Sequence, residues 1–292
     1  MRILITGNQG FIGRHLTAEL KSHGYDVCGH DRIDGDLANP NVFAGAVAKY
    51  QPDRVVHLAA EVGRLFGERD VMVTTRQNAT MCALVGRVCG EQSIPVMYAS
   101  SSEVYGDHGD HVCHELTTPK LPHNLYGLTK RWGEEALRLT APERLRIVRL
   151  SMPYGPGAPP GRGRRALDTF LWQAHHQKPI TVHRGAERSW CWVGDTVRAL
   201  RMILERGDYD VYNVGRSDRP ISMLTLAHKC CDLAGAPYSL IDEVDPPPMQ
   251  TVVKRLSNAR LLELGWQPTV ELDEGLQYVY DWVTQFPAEV AA

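Results

Sequence analysis

The sequence predicts an α/β protein: a doubly wound parallel sheet followed by a smaller C-terminal lobe. Three observations predict it. Short apolar runs alternate with helix-length amphipathic stretches over the first 150 residues, an alternation that requires crossover connections. The first run leads straight into a glycine-rich turn. Beyond Tyr154-Gly155-Pro156-Gly157 the regular alternation fades.

Met1 to Ile5 reads as a buried strand. Gly7-Asn8-Gln9-Gly10-Phe11-Ile12-Gly13 follows, then a helix over Arg14 to His23 that stops at Gly24. A second strand, Tyr25 to Gly29, ends in His30-Asp31. Glycines in such a turn let backbone N–H groups at a helix N-terminus approach a pyrophosphate. Asp31 stands where an acid accepts the hydroxyls of a ribose, with Arg32 beside it. Strand, glycine turn, helix, strand and acid in this order point to dinucleotide binding.

Asp36-Leu37 lies in a short loop before a helix over Pro40 to Tyr50. The strand from Asp53 ends in Leu58-Ala59-Ala60, small residues that let a flat ring approach the backbone. Val71 to Cys89 has long helical periodicity. Ile94 to Ala99 is a buried strand leading into Ser100-Ser101-Ser102-Glu103. A loop rich in His, Asp and Pro precedes Tyr126-Gly127-Leu128-Thr129-Lys130, which opens a helix. Arg144 to Leu150 is the next strand. Helices are expected over Ala166 to Gln177, Ser222 to Ala234 and Leu272 to Trp282, and strands over Ile180 to His183 and Val211 to Val214. Residues 1–155 form the dinucleotide-binding domain, to which later segments can return, and 156–292 mainly the second lobe.

The 292 residues carry a net charge of −2, which gives no reason to expect a nucleic-acid surface. No run of 18 apolar residues marks a membrane span. The chain opens on a core strand rather than a leader, and its seven cysteines fit reduced thiols, so a cytoplasmic location is expected.

These residues resemble an extended short-chain dehydrogenase/reductase of the NAD-dependent epimerase/dehydratase family, a Rossmann-fold group that modifies nucleotide sugars. Thr6 to Gly13 resembles its cofactor motif, Leu58-Ala59-Ala60 its strand end, and Tyr126 with Lys130 its YxxxK pair. Ser101 falls on its catalytic Ser/Thr position. Arg149 and Tyr154 to Gly157, Arg188-Ser189-Trp190, Tyr212 to Gly215 and Leu264-Gly265-Trp266 resemble later landmarks, in family order. The resemblance implies NAD as cofactor, with Asn78 added to the cofactor contacts. It implies a nucleotide-diphosphate sugar as substrate, met by Val62, Arg188, Met152 and Arg162. No metal is implied, although His108, His111, Cys113 and His114 have the composition of a zinc site.

Tyr126 and Lys130 are four apart and share a helix face. A phenol titrates near 10, so a nearby ammonium and a nicotinamide cation are expected to lower it enough for Tyr126 to act as base. Ser101 would hydrogen-bond the same oxygen. Ser102 stands where many 4,6-dehydratases of the family carry an Asp, and Glu103 reads as either a working base or a structural carboxylate. Met152 replaces an Asn that contacts the diphosphate in the family, and a thioether cannot donate that bond. Arg162, Arg164, Arg165, Arg184 and Arg188 are the candidate replacements. The expected activity is 4-epimerisation through a 4-keto sugar. Decarboxylation, dehydration or ketosugar reduction is the alternative within the family, and an NAD-binding sensor the non-enzymatic one. The resemblance implies a homodimer paired through the helix after Val73 and the helix carrying Tyr126, and Ala79, Ala83, Ala136 and Leu137 are suited to close packing. Asp31 is expected to favour NAD over NADP.

Overall fold

The computed structural model describes residues 1–62, 70–140, 145–157, 160 and 165–288. Strands β1 (Arg2–Thr6), β2 (Asp26–His30), β3 (Arg54–His57), β4 (Val96–Ser101) and β5 (Arg146–Leu150) join the Val211–Val214 strand in one sheet. Every pairing in it is parallel. From one edge the order is β2, β1, β3, β4, β5 and Val211–Val214. Such a sheet needs helices on both faces, and β1 shows why. Ile3, Leu4 and Ile5 are consecutive and fully buried. Ile3 and Ile5 join a core with Leu16, Leu20, Val197 and Leu200, while Leu4 faces Phe43, Val47, Met81 and Val85. Helix α1 (Phe11–Ser22) and the Val193–Arg206 helix therefore cover one face, and the Pro40–Tyr50, Met81–Glu91 and Leu125–Thr140 helices the other.

The second core gathers Tyr154, Phe170, Trp172, Trp190, Leu226 and Val279. Three two-stranded ladders accompany it: Ile180–His183 with Ile241–Val244, Glu187–Arg188 with Ile221–Ser222, and Pro153–Tyr154 with Cys191–Trp192. The second half of the chain is not contiguous in space, because Val193–Arg206 and Val211–Val214 return to the main sheet.

The helix expected from Arg14 starts earlier, at Phe11, with Gly10 as its extended N-cap. Val71–Glu91 is interrupted by a π-turn over Arg76–Thr80. The strand expected from Arg144 runs Arg146–Leu150, and Arg144 itself lies outside the described residues. All seven cysteines are free. Among the described residues no helix is long and apolar enough to cross a membrane, and no group of three or more His, Cys, Asp or Glu is placed to hold a metal.

Candidate active site

The carboxyl ends of β1, β3 and β4 open on a cavity of about 810 Å³. That is where ligands bind in open parallel sheets, beside the crossover between β1 and β3. Its wall brings together residues far apart in the chain, from Gly7 to Lys254.

At one end the turn after β1 is shaped by its glycines. Gly7 has φ +73°, and a Cβ there would lie 2.8 Å from the Ala59 nitrogen. A Cβ on Gly13 would lie 2.1 Å from the Gly7 carbonyl oxygen, so α1 enters close against the turn. The Asp31 carboxylate accepts from the backbone N–H of Gln9 at 2.9 Å and of Arg32 at 2.8 Å. It thereby ties the end of β2 to the glycine turn while leaving lone pairs open. The Arg32 guanidinium lies 3.1 Å from the Glu61 carboxylate. Gly7, Gln9, Gly10, Phe11, Ile12, Gly13, Asp31, Arg32, Asp36, Leu37, Leu58, Ala59 and Ala60 all line the cavity. Backbone N–H groups at a helix N-terminus, a carboxylate one strand away and a wall of small residues fit NAD.

Asn78 is buried behind this wall rather than on it. Its Oδ1 accepts from Glu61 N at 2.8 Å, and its Nδ2 donates to the Glu61 carbonyl and to Thr129 Oγ1. It holds the chain that the cofactor would touch.

The other end holds Ser101, Ser102, Glu103, Tyr126 and Lys130. Ser101 caps a short 3₁₀ turn, Ser102–Val104, accepting from Glu103 N at 3.2 Å. Ser101 also acts on the Tyr126 phenol, pulling it down. Lys130 donates to the Ala99 carbonyl at 2.8 Å, and its ammonium lies 6.0 Å from the centre of the Tyr126 ring. Burial pushes the Lys130 ammonium down to about 8. The sequence led us to expect a phenol lowered by Lys130. The chain alone does the reverse: burial raises the Tyr126 phenol above its usual range, against a lowering by Ser101, and the Glu103 charge raises it further.

Glu103 is the most heavily bonded of these groups. One oxygen accepts from Asn124 Nδ2 at 3.0 Å and Thr251 Oγ1 at 3.0 Å, and the other from Lys254 Nζ. Burial would raise its carboxyl, but Lys254 beside it and these donors hold it at about 2.

Behind the site lies a buried ion pair. Arg149 donates through Nε and Nη2 to both Glu134 oxygens, at 2.9 and 2.8 Å, with both side chains fully buried. Ser100 Oγ donates to the same carboxylate at 2.6 Å. Arg149 reaches Tyr105 Oη, which donates on to Asn213 Oδ1. The landmarks at Arg149 and Asn213 thus join the end of β4 to the Tyr126 helix and the Val211–Val214 strand.

Of the residues expected to meet substrate, Met152 and the exposed Val62 line the cavity. Met152 has φ +47°, uncommon for a residue other than glycine. Arg162 and Arg164 lie outside the described residues. Arg184 is exposed and paired with Asp245 at 2.8 Å. Arg188 is buried and absent from the cavity wall. Its guanidinium donates to the carbonyls of Glu187, Thr251 and Val252. It positions the segment that carries Lys254, because three carbonyls satisfy it where it stands. Arg165 does line the cavity, with Nε 2.8 Å from Asp168 Oδ2 and its guanidinium 3.5 Å from the centre of the Phe11 ring.

Sequence reasoning missed Lys254, Asp168 and Asn124 and read Trp190 only as part of a landmark, and all four are on the wall. Asn124 had a local signal: it precedes a helix, and its Oδ1 caps Gly127 N at 2.8 Å. Lys254 had none, lying 151 residues from its partner Glu103.

Comparison with known proteins agrees with this geometry. The model of the NAD dependent epimerase/dehydratase family matches residues 3–215. The chain belongs to that family, whose members act on nucleotide sugars, and NAD is the family's cofactor. A UDP-glucuronic acid decarboxylase of Arabidopsis thaliana is 29% identical, over 94% of this chain and 87% of that protein. A trifunctional UDP-glucose 4,6-dehydratase, 3,5-epimerase and reductase of the same plant is 27% identical over 98% of this chain. The chain spans only 47% of that protein's length. The UDP-glucose 4-epimerase of Thermotoga maritima, solved with UDP-glucose, superposes with a TM-score of 0.90 at 23% identity, covering 98% of this chain and 99% of that one. At that identity the likeness speaks for the fold alone.

Proposed function

We propose that the chain is an NAD-dependent nucleotide-sugar 4-epimerase that works through a transient 4-keto sugar. The observation that carries this reading is the state of Glu103. Elimination needs a base able to take a proton from carbon, and this carboxylate already accepts three bonds and is held at about 2. C4 epimerisation needs only a group that moves a hydroxyl proton, and Ser101 and Tyr126 both line the cavity.

The glycine turn and the α1 N-terminus would hold the pyrophosphate of NAD, and Asp31 its adenosine ribose, with hydride acceptance and return as the chemistry the cofactor would supply. Ser101 Oγ and Tyr126 Oη bind the reacting hydroxyl, and Tyr126 takes its proton and later gives it back. A phenol raised by burial needs positive charge nearby to do so, and the Lys130 ammonium supplies it below pH of about 8. The Arg32–Glu61 pair leaves Asp31 facing a ribose without a competing cation, which favours NAD over NADP. Arg165, Val62 and Met152 are assigned to the substrate side.

Loss of CO₂ from a ketouronate is the second reading, supported by the 29% identity to a decarboxylase and by Ser101-Ser102-Glu103. We also propose a cytoplasmic homodimer. Ala79, Ala136 and Leu137 are buried within the protomer, so they do not supply its contacts. Val71, Met72 and Val73, with Leu128, Trp132 and Leu139, are the exposed apolar residues on the two expected helices.

The test is incubation with UDP-glucose and with UDP-glucuronic acid in D₂O, followed by NMR. Inversion at C4 without deuterium on carbon is expected. A pentose product would establish decarboxylation instead, and deuterium at C5 or C6 would overturn the epimerase reading.

A further inference from the structure

We propose that Lys254 is a positioning residue that sets the reaction outcome: by holding the Glu103 carboxylate it keeps that carboxylate from removing the proton on C5, beside the transient C4 carbonyl. This rests on the reading above and deepens it.

Glu103 stands on the same wall as Ser101 and Tyr126, and its charge reaches the Tyr126 phenol. A C4 carbonyl held by those two hydroxyls places C5 one bond away. Removal of the C5 proton by a carboxylate leaves its electron pair as an enolate on the C4 oxygen, which Ser101 and Tyr126 face. Nothing is oxidised in that step, and return of the proton restores the sugar. A free carboxylate there would therefore exchange the C5 proton with solvent.

The structure closes this route with three donors. Asn124 and Thr251 bond one oxygen, and Lys254 takes the other. The Lys254 side chain is 9% exposed and lines the cavity. Its segment is fastened from both sides: Val252 N donates to Asp107, and Arg188 donates to the Thr251 and Val252 carbonyls. The charged neighbours of the pair are thus Arg188 and Asp107, with Tyr126 facing Glu103. Asn124 and Thr251 would remain if Lys254 were lost, but neither carries charge. Burial would then push the Glu103 carboxyl up and make it a stronger base.

The experiment compares the wild type with Lys254→Met, using UDP-glucose and UDP-glucuronic acid in D₂O. The wild type should leave C5 unlabelled. Lys254→Met should raise C5 deuterium per C4 inversion by about tenfold or more. Lys254→Arg should restore the wild-type ratio, and adding Glu103→Gln to Lys254→Met should abolish the label. Carbon-13 NMR of the Glu103 carboxyl, assigned by its loss in Glu103→Gln, reads the same hold without substrate. Its titration should move up by a unit or more in Lys254→Met. If Lys254→Met does not fold, Lys254→Gln carries the same two expectations. C4 inversion with an unlabelled C5 in the variant, or an unmoved Glu103 titration, overturns the inference alone. Absence of C4 inversion by the wild type with both sugars overturns the epimerase reading and this inference with it.

Discussion

Arg149→Met should destabilise the protein by about 3–5 kcal/mol, because it leaves a buried carboxylate without its cation. The Glu134 side chain is fully buried, and two of its bonds come from Arg149. What remains is the Ser100 hydroxyl at 2.6 Å and Arg138 at 3.6 Å. Tyr105 and the Glu115 carbonyl lose a donor as well. The effect should also depend on pH in a stated direction. In the native protein burial would raise the Glu134 carboxyl, but Arg149 holds it below its ordinary value. Its stabilising contribution is therefore present above that value and lost on acidification. In Arg149→Met burial acts against only Ser100 and Arg138, the carboxyl rises, and the variant recovers stability as pH falls. Urea unfolding at pH 7 and pH 5 should show the gap between the two proteins narrowing. Replacing both residues, in Arg149→Met with Glu134→Leu, should cost less than Arg149→Met alone. A single-variant loss below about 1 kcal/mol, or a gap that widens toward acid, would refute the argument.

Tyr126→Phe keeps the ring and removes one hydroxyl, so turnover should fall by about two to four decades while NAD still binds, as fluorescence titration would report. Lys130 should be charged below pH of about 8 and lose that charge as pH rises through it, so a pH–rate profile should decline on its alkaline side. Asp31→Ala should weaken NAD, and a native preference for NADP in equilibrium binding would contradict the role given to Asp31. Light scattering at micromolar concentration should give twice the 32.6 kDa of one chain, and a monomer would remove the dimer.

The parts of this molecule legible in the sequence are those settled by local bonds. The helix over Pro40–Tyr50 carries its own signals, an Asn39 cap and Pro40 at its first position, and it was read with its observed bounds. The glycine turn was legible because close approach and positive φ admit few other residues. The start of α1 was misread because Gly10 caps it without a side chain. Arg188 was assigned to the substrate from its place in a motif, yet the carbonyls that satisfy it come from Thr251 and Val252, 63 and 64 residues on. The state of Tyr126 was missed for a related reason. The YxxxK spacing shows that a lysine is near, but not that its ammonium donates to the Ala99 carbonyl or that burial raises the phenol.

The segment carrying Lys254 lies beyond residue 215, where the family match ends, yet it completes the wall beside Ser101 and Tyr126. This bears on recombination. A chimera joined near Gly215 would inherit the nucleotide grip and the YxxxK pair from one parent. It would inherit the restraint on Glu103 from the other. On the proposed mechanism, exchanging the C-terminal portion would thus alter what becomes of the sugar once it is a ketone. Lineages built by such shuffling should differ in product.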